Sequence, residues 1–246
     1  MLVKQLPRVG AKLFRWRSFL PLVFLPVGLW GLRDAEYLDV VLGDQMDDFF
    51  EAFALGVSLM GIAVRIITVG HVPRSTSGRN TKEQRAAVLN TCGVYSVVRH
   101  PLYLGNFLII LGLLLTTGLW HITIIGILAF ALYYERIMMA EEKFLLDRFG
   151  EAYARWSKVT PAFFPRFAQW RKSALQFSWR MVLRREISTW LGFVSAALFL
   201  DVAEDLIADS RWELDPEWLL ALAVLLLSYV VIQRSKKSGR LRVTDR

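Results

Sequence analysis

Long apolar runs separated by charged segments are the feature that most constrains how this chain folds. A helix needs about 20 predominantly apolar residues to cross the ~30 Å hydrocarbon core of a bilayer. Apolar residues make up 54% of the 246 residues and the mean hydropathy is +0.38, which is too apolar for an ordinary soluble domain. The sequence predicts an all-α integral membrane bundle of about six transmembrane helices, with spans at 16–32, 49–70, 102–119, 120–135, 187–207 and 217–233.

Two parts of this pattern predict more than a simple span. The first run follows a basic N-terminus without a small-residue cleavage site, so we interpret it as a retained signal anchor. The third and fourth runs form one apolar stretch interrupted near 116–118, which predicts a tight helical hairpin. Helical periodicity from 135 to 156 then predicts that the second helix of the hairpin continues into the cytoplasm as an amphipathic extension, with Gly150 as a weak point.

Charge alternates between loops and predicts which side of the membrane each loop faces. Residues 33–51 and residues 201–217 each carry one arginine against seven acids, whereas the other loops and both termini are net basic. Basic loops favour the cytoplasm. We therefore expect both termini inside and both acidic loops outside. The basic residues form no single patch, so the expected partner is a lipid bilayer and not nucleic acid.

The same pattern divides the chain into three parts. We expect a signal-anchor helix with an outer acidic loop (1–48), a core (49–186), and a C-terminal helical hairpin with a basic tail (187–246). The single cysteine, Cys92, excludes an intramolecular disulfide and a cysteine-built zinc site. We predict no metal site.

An Arg-His-Pro run opens the third span from its cytoplasmic side. Pro101 suits the first turn of a helix, whose N-terminus presents unpaired N–H groups and a partial positive charge. Arg99 adds a permanent charge and His100 adds a donor, so the segment predicts an anion site for a carboxylate or phosphate. The alternative is that both side chains anchor the helix end among lipid headgroups.

Two adjacent carboxylates, Glu141 and Glu142, lie in the predicted extension of the fourth span. The hairpin brings this region beside Arg99 and His100. The pair suits ribose hydroxyls, an amino group or a sulfonium cation, although a solvated helix face is the alternative for such a pair.

The residues from Gly93 to Gly105, followed by the two glutamates, Tyr153 and the proline-bounded end at 161–165, resemble the isoprenylcysteine carboxyl methyltransferase and phospholipid methyltransferase superfamily. The resemblance covers roughly residues 55–166. It implies transfer of a methyl group from S-adenosylmethionine to a membrane lipid headgroup at the cytoplasmic face, onto a lipid phosphate oxygen or a phospholipid nitrogen. It also implies a cofactor pocket built by Arg99, His100, Pro101, Tyr103, Gly105, Glu141 and Glu142.

Three arginines are candidates for recognition of the lipid. Arg65 lies near the inner end of the second span, where an intramembrane charge indicates function unless it snorkels to the surface. Arg74 and Arg79 lie in a polar loop and suit a lipid phosphate, with a solvated loop as the alternative. The loop around Arg79 and the segment 160–165 are similar to the bacterial branch that includes lipid A phosphate methyltransferases, and this resemblance implies a location in a bacterial inner membrane. We take Arg65, Arg79 and Tyr103 as the candidate catalytic residues.

Two alternatives come from other classes of protein. The sterol and steroid reductases share the architecture and a His-Pro-x-Tyr segment and use NADPH, but they typically carry Asn where this chain has Leu102. A non-catalytic transporter or assembly factor is the second alternative, suggested by the acids Asp201, Glu204 and Asp205. These lie at the outer end of the fifth predicted span, not in its middle, which argues against transport.

Overall fold

The computed structural model describes residues 9–14, 26, 44–73, 86–207 and 216–239. Within these ranges the long elements are helices, and a single isolated bridge joins Gly93 to Arg171. The prediction of an all-α membrane bundle is confirmed. The principal helices are α1 (Asp44–Gly70), α2 (Pro101–Leu115), α3 (Trp120–Phe149), α4 (Glu151–Val159), α5 (Trp179–Ile207) and α6 (Pro216–Lys237).

Four of these helices are long and apolar enough to cross a membrane, namely α1, α3, α5 and α6. The protein is therefore an integral membrane protein. Helix α2 is equally apolar but has only 15 residues. At 1.5 Å per residue it is about 22 Å long, shorter than the hydrocarbon core. The first predicted span, 16–32, lies outside the described residues apart from position 26.

Small residues bring α1 and α2 into close contact. A Cβ added at Gly61 would lie 2.6 Å from the carbonyl oxygen of Gly105 and 2.8 Å from the backbone nitrogen of Ile109. The Ser58 hydroxyl donates to the Ile109 carbonyl at 3.1 Å. Close backbone approach and polar bonds between helices are what hold apolar helices together when lipid removes the hydrophobic driving force. This contact fixes α2, and with it the start of the Arg-His-Pro segment.

The predicted hairpin between α2 and α3 is confirmed. Helix α2 ends at Leu115, and Gly118 in the turn has a φ of 67°, a left-handed conformation that favours glycine. The Thr117 hydroxyl donates to the Leu114 carbonyl at 2.8 Å, which satisfies a free helix-end acceptor. A buried cluster that includes Ile110 and Phe130 then holds the two helices together.

The predicted helical extension of α3 beyond the hairpin is also confirmed. Helix α3 continues to Phe149, Gly150 breaks it with a φ of 50°, and α4 follows at once. After α4 the proline-bounded segment 160–165 is irregular, as predicted, and it returns to the start of α2. The Arg99 amide donates to the Pro161 carbonyl at 2.9 Å, and the Arg166 amide donates to the Val97 carbonyl at 3.0 Å.

Helix α5 begins at Trp179, before the start at 187 that the sequence predicts. The arginines at 180, 184 and 185 lower the local hydropathy without interrupting the helix, since arginine is a good helix former. The Ser178 amide donates to the Gly70 carbonyl at 3.0 Å, so the start of α5 lies at the end of α1. The predicted boundary between residues 186 and 187 therefore falls inside a helix.

Candidate active site

Arg99 and His100 meet Glu142 where α2 begins and α3 leaves the bundle. Arg99 Nη1 lies 2.9 Å from Glu142 Oε1, and His100 Nε2 lies 3.0 Å from the same oxygen. His100 is 4% exposed, while the side chains of Arg99 and Glu142 are 17% and 29% exposed, so the contact is largely buried. The structure thus unites the Arg-His-Pro segment with the glutamate pair, as the hairpin predicts.

Tyr103 joins the second glutamate to this cluster. Its hydroxyl donates to Glu141 Oε2 at 2.8 Å, and its ring stacks on His100 with the centroids 5.5 Å apart. The Tyr103 ring also contacts Tyr134, with the centroids 5.0 Å apart. An aromatic face beside two carboxylates suits a cation. We call Arg99, His100, Tyr103, Glu141 and Glu142 the polar cluster.

Local backbone structure holds the polar cluster in place. Pro101 is the first residue of α2 and His100 is the N-cap, so Pro101 sets the start of the helix. For this role the Pro101 side chain does not have to contact the residues of the polar cluster. The Tyr103 and Leu104 amides both donate to the His100 carbonyl at 3.1 Å, which fixes the first turn.

Tyr153 on α4 approaches the polar cluster from the cytoplasmic extension. Arg99 Nη1 lies 3.5 Å from its hydroxyl. Burial, together with the charge of Glu142, raises the pKa of Tyr153 to about 12, so the phenol stays protonated at neutral pH. In this form the Tyr153 hydroxyl can both donate and accept a hydrogen bond.

One donor of the polar cluster has no acceptor within the described part of the chain. Arg99 Nε is buried and makes no hydrogen bond there. A buried donor without an acceptor costs about 1–3 kcal/mol. Arginine binds carboxylates and phosphates through two parallel N–H groups. A ligand with an anionic oxygen would satisfy this donor.

Arg65 lies in a different polar contact, between α1, α2 and α5. Its Nε and Nη2 atoms donate to the two oxygens of Glu186 at 2.7 and 3.0 Å. Its remaining donors reach Thr189 Oγ1 at 3.2 Å, the Leu102 carbonyl at 3.5 Å and Asn106 Oδ1. Arg65 is thus engaged within the protein, and the structure does not bring it to the polar cluster.

Sequence reasoning missed the partners of Arg65. Glu186 is only 2% exposed, although the sequence predicts that the fifth span begins after it, at residue 187. An intramembrane arginine requires a partner, and that requirement was the available signal. Asn106 was also missed. Its amide donates to the Tyr134 hydroxyl at 2.8 Å, which connects Arg65 to the aromatic wall behind Tyr103.

Comparison with known proteins identifies the family. Residues 52–152, which contain the whole polar cluster, match the phospholipid methyltransferase family. A protein-S-isoprenylcysteine O-methyltransferase of Schizosaccharomyces pombe is 28% identical over 117 residues, covering 47% of this chain and 50% of that protein. The chain belongs to the isoprenylcysteine carboxyl methyltransferase and phospholipid methyltransferase superfamily. The methyltransferase match includes Arg65 but ends before Glu186.

Two bacterial relatives are similar over more of the chain. The cobalt-zinc-cadmium resistance protein CzcN of Cupriavidus metallidurans is 35% identical over 170 residues, which cover 68% of this chain and 64% of that protein. The nickel-cobalt-cadmium resistance protein NccN of Alcaligenes xylosoxydans xylosoxydans is 30% identical over 191 residues, covering 76% of this chain and 85% of that protein. No solved structure matches this chain.

Gly105 lies against α1. A Cβ there would be 2.5 Å from Arg65 Cγ and 2.9 Å from the Gly61 carbonyl oxygen. This contact explains a glycine in the superfamily segment by helix packing, and the cofactor role predicted from the resemblance remains a separate hypothesis. Arg74 and Arg79, the predicted lipid ligands, lie outside the described residues.

Replacing Gly105 by alanine tests the packing role. The Gly105→Ala variant should lose about 1–3 kcal/mol of stability, the usual cost of overpacking. Thermal unfolding in detergent measures the loss, and Gly192→Ala on α5 is the control because a Cβ there has open space. A Gly105→Ala variant as stable as the control, but with weakened cofactor binding, would instead support the cofactor role.

Proposed function

We propose that this protein transfers a methyl group from S-adenosylmethionine to a membrane lipid headgroup at the cytoplasmic face. The acceptor is a lipid phosphate oxygen or a phospholipid nitrogen. The observation that carries this proposal is the polar cluster, which lies within the segment that matches the methyltransferase family. In this cluster Arg99 lies beside the glutamate pair, and its Nε has no acceptor among the described residues.

The residues of the polar cluster fit the cofactor group by group. The Nε side of Arg99 suits the methionine carboxylate, because a guanidinium pairs with a carboxylate through two parallel N–H groups. Glu141 and Glu142 suit the amino group and the ribose hydroxyls as acceptors. The Tyr103 ring suits the positive sulfonium. When bound, S-adenosylmethionine supplies an electrophilic methyl group.

The protein's own residues then bind, orient and exclude water. Alignment of two reactants in one site removes much of the entropic barrier to a bimolecular reaction. An anionic phosphate acceptor needs no proton removed, which agrees with the high pKa of Tyr153 and with a cluster built for binding. His100, held by Glu142, keeps the guanidinium and the carboxylates in register.

The lipid is expected to enter sideways from the bilayer. Residues 160–178, between α4 and α5, are called the returning segment. Near the polar cluster this segment exposes large aromatic side chains, with Phe164 80% and Phe167 73% exposed. Trp170 and Trp179 are also exposed at this end, beside Arg166 and Arg180. Aromatic and basic side chains together are typical of the membrane–water boundary. This placement supports a reaction at headgroup level, with Arg74 and Arg79 as the proposed phosphate ligands.

The match to the methyltransferase superfamily favours methyl transfer over the NADPH-dependent reductase alternative. The names of two relatives refer to metal resistance. Within the described ranges no three His, Cys, Asp or Glu side chains form a group that could hold a metal ion. We infer that a contribution to metal resistance would be indirect, because methylation of a lipid phosphate lowers the negative charge that attracts divalent cations.

Lipid mass spectrometry tests the proposed function. Cells that express the chain should contain a lipid heavier by one methylene than in cells without it, and labelled methionine should transfer its methyl label to that lipid. Cells that express Arg99→Ala are the control and should show little of this product. Growth of the same strains in cadmium would measure the indirect effect. Unchanged lipids in expressing cells would contradict the proposal.

A further inference from the structure

A cavity whose lining shares no residue with the polar cluster lies along α4. Its volume is about 290 Å³, and its walls are formed by α4, the returning segment and the turn before α2. It is open to the outside and large enough for a small polar group together with water. Its polar lining comes from Thr91, Ser96, Arg155, Trp156, Thr160, Gln169 and Arg171.

Two buried donors in this lining have no acceptor within the described residues. They are Nε1 of Trp156 and Nε2 of Gln169, and each atom is shielded from solvent by its neighbours. Buried polar groups in folded proteins are almost always hydrogen-bonded, so each exception requires an explanation. An indole N–H can only donate. The missing partner of Trp156 is therefore an acceptor.

The charge around the cavity indicates the chemical nature of the missing acceptor. Arg155 and Arg171 both line it, no aspartate or glutamate does, and neither arginine forms an ion pair with a described carboxylate. The backbone of Arg171 is fixed because its amide donates to Ser96 Oγ at 2.9 Å and its carbonyl accepts from the Gly93 amide at 2.9 Å. Two guanidinium groups with an indole and an amide donor suit an anion with several oxygens.

The cavity is distinct from the polar cluster. None of Arg99, His100, Tyr103, Glu141 and Glu142 lines it. The two are neighbours along α4, because Tyr153 reaches Arg99 and Trp156, three residues later on the same face of the helix, lines the cavity. The two rings touch, with their centroids 5.6 Å apart. An occupant of the cavity would therefore contact the same short helix that contacts the cofactor residues.

We propose that this cavity is a binding site for a phosphate group. The chemistry is shared by two sources, the headgroup of an anionic lipid and a free phosphate, and the site lies beside the exposed aromatic residues of the returning segment. The proposal stands apart from the methyl-transfer function, because it rests on the donors and charges of a separate cavity.

Calorimetry on the full chain in a sugar-based detergent tests the site, with inorganic phosphate as the first probe. Native mass spectrometry with phosphatidic acid, against phosphatidylcholine as the neutral reference, is the second. Arg155→Ala should weaken binding of the active probe about tenfold or more, since a charged hydrogen bond is lost. Trp156→Phe removes only the N–H and should weaken it several-fold. Arg148→Ala is the control, because Arg148 is an exposed arginine on α3 outside the cavity.

The possible outcomes distinguish a lipid headgroup from free phosphate, and they also show which results would contradict the proposal. Binding of inorganic phosphate supports a site for any phosphate group, whereas binding of phosphatidic acid alone supports a lipid site. Equal losses in Arg155→Ala and Arg148→Ala would overturn the proposal, because they would show attraction by net charge. Absence of binding by both probes would overturn it as well. Displacement of phosphate by S-adenosylhomocysteine would assign the cavity to the cofactor instead, whereas failure of methyl transfer would leave the phosphate measurements unchanged.

Discussion

The Glu186→Gln variant is expected to lose about 3–5 kcal/mol of stability, the usual effect of removing one partner from a buried ion pair. Glu186 is 2% exposed and accepts two hydrogen bonds from Arg65. Glutamine has the same size but no charge, and its amide nitrogen faces a guanidinium that can only donate. The variant therefore leaves a buried cation without a counterion. Thermal or denaturant unfolding in detergent measures the loss.

The exposed pair between Lys143 and Asp147 provides a matched control. Its atoms also lie 2.8 Å apart, but both side chains are about 60% exposed. Exposed pairs of this kind contribute about 0.3–0.5 kcal/mol, so Asp147→Asn should be nearly neutral. If Glu186→Gln unfolds at the same temperature as Asp147→Asn, the structural importance of the Arg65 pair is contradicted.

A double variant separates a positioning role of Arg65 from a catalytic one. Replacing both Arg65 by Met and Glu186 by Leu should restore much of the stability, since apolar pairs can replace buried ion pairs. We propose that Arg65 positions Asn106 and thereby the aromatic wall behind Tyr103. A stable double variant with normal cofactor affinity and a normal methylation rate would exclude both roles. A stable variant with weakened lipid binding alone would support the predicted substrate role.

The hairpin made the polar cluster predictable from the sequence. Arg99 and Glu142 are far apart in the chain, but an apolar stretch with one interruption has few ways to fold within a membrane. The two ends of such a hairpin must lie on the same side. That constraint, together with Pro101 as a helix start, is sufficient to predict that both charged groups lie close together.

The contact between Arg65 and Glu186 was not predictable in the same way. Hydropathy locates the apolar centre of a span, whereas the start of α5 at Trp179 lies among arginines that resemble a loop in composition. The predicted fifth span therefore starts at residue 187 and leaves Glu186 just outside it. Gly105 shows a related limit, because a glycine in a functional segment gives no sign of whether a ligand or a neighbouring helix requires it.

The two polar contacts differ in how they relate to the residues that match the family. The polar cluster lies wholly within the matched residues 52–152, whereas Glu186 lies beyond them on α5. The C-terminal helices are thus joined to the family-matched residues 52–152 by a charge pair that those residues alone cannot complete. A buried charge on α1 that needs α5 makes the core dependent on the C-terminal part of the chain.

Replacing both Glu141 and Glu142 by glutamine is expected to weaken S-adenosylmethionine binding by about two to four orders of magnitude. Each charged hydrogen bond contributes about 1.5–3 kcal/mol, and a neutral amide is a weaker acceptor than a carboxylate. Glu142 also holds Arg99 and His100, so its replacement disturbs the guanidinium proposed to bind the cofactor carboxylate. Calorimetry on the purified protein measures the affinity, and methyl transfer to extracted lipid measures the rate.

Glu135→Gln provides the control, because Glu135 lies on the same helix, is exposed and takes no part in the polar cluster. It should leave both the affinity and the rate nearly unchanged. The single variants add a second distinction, since Glu142→Gln breaks the contacts with Arg99 and His100 whereas Glu141→Gln breaks the bond to Tyr103. We therefore expect Glu142→Gln to have the larger effect. A folded double variant that binds the cofactor and methylates lipid as the unaltered chain does would show that the polar cluster is only structural.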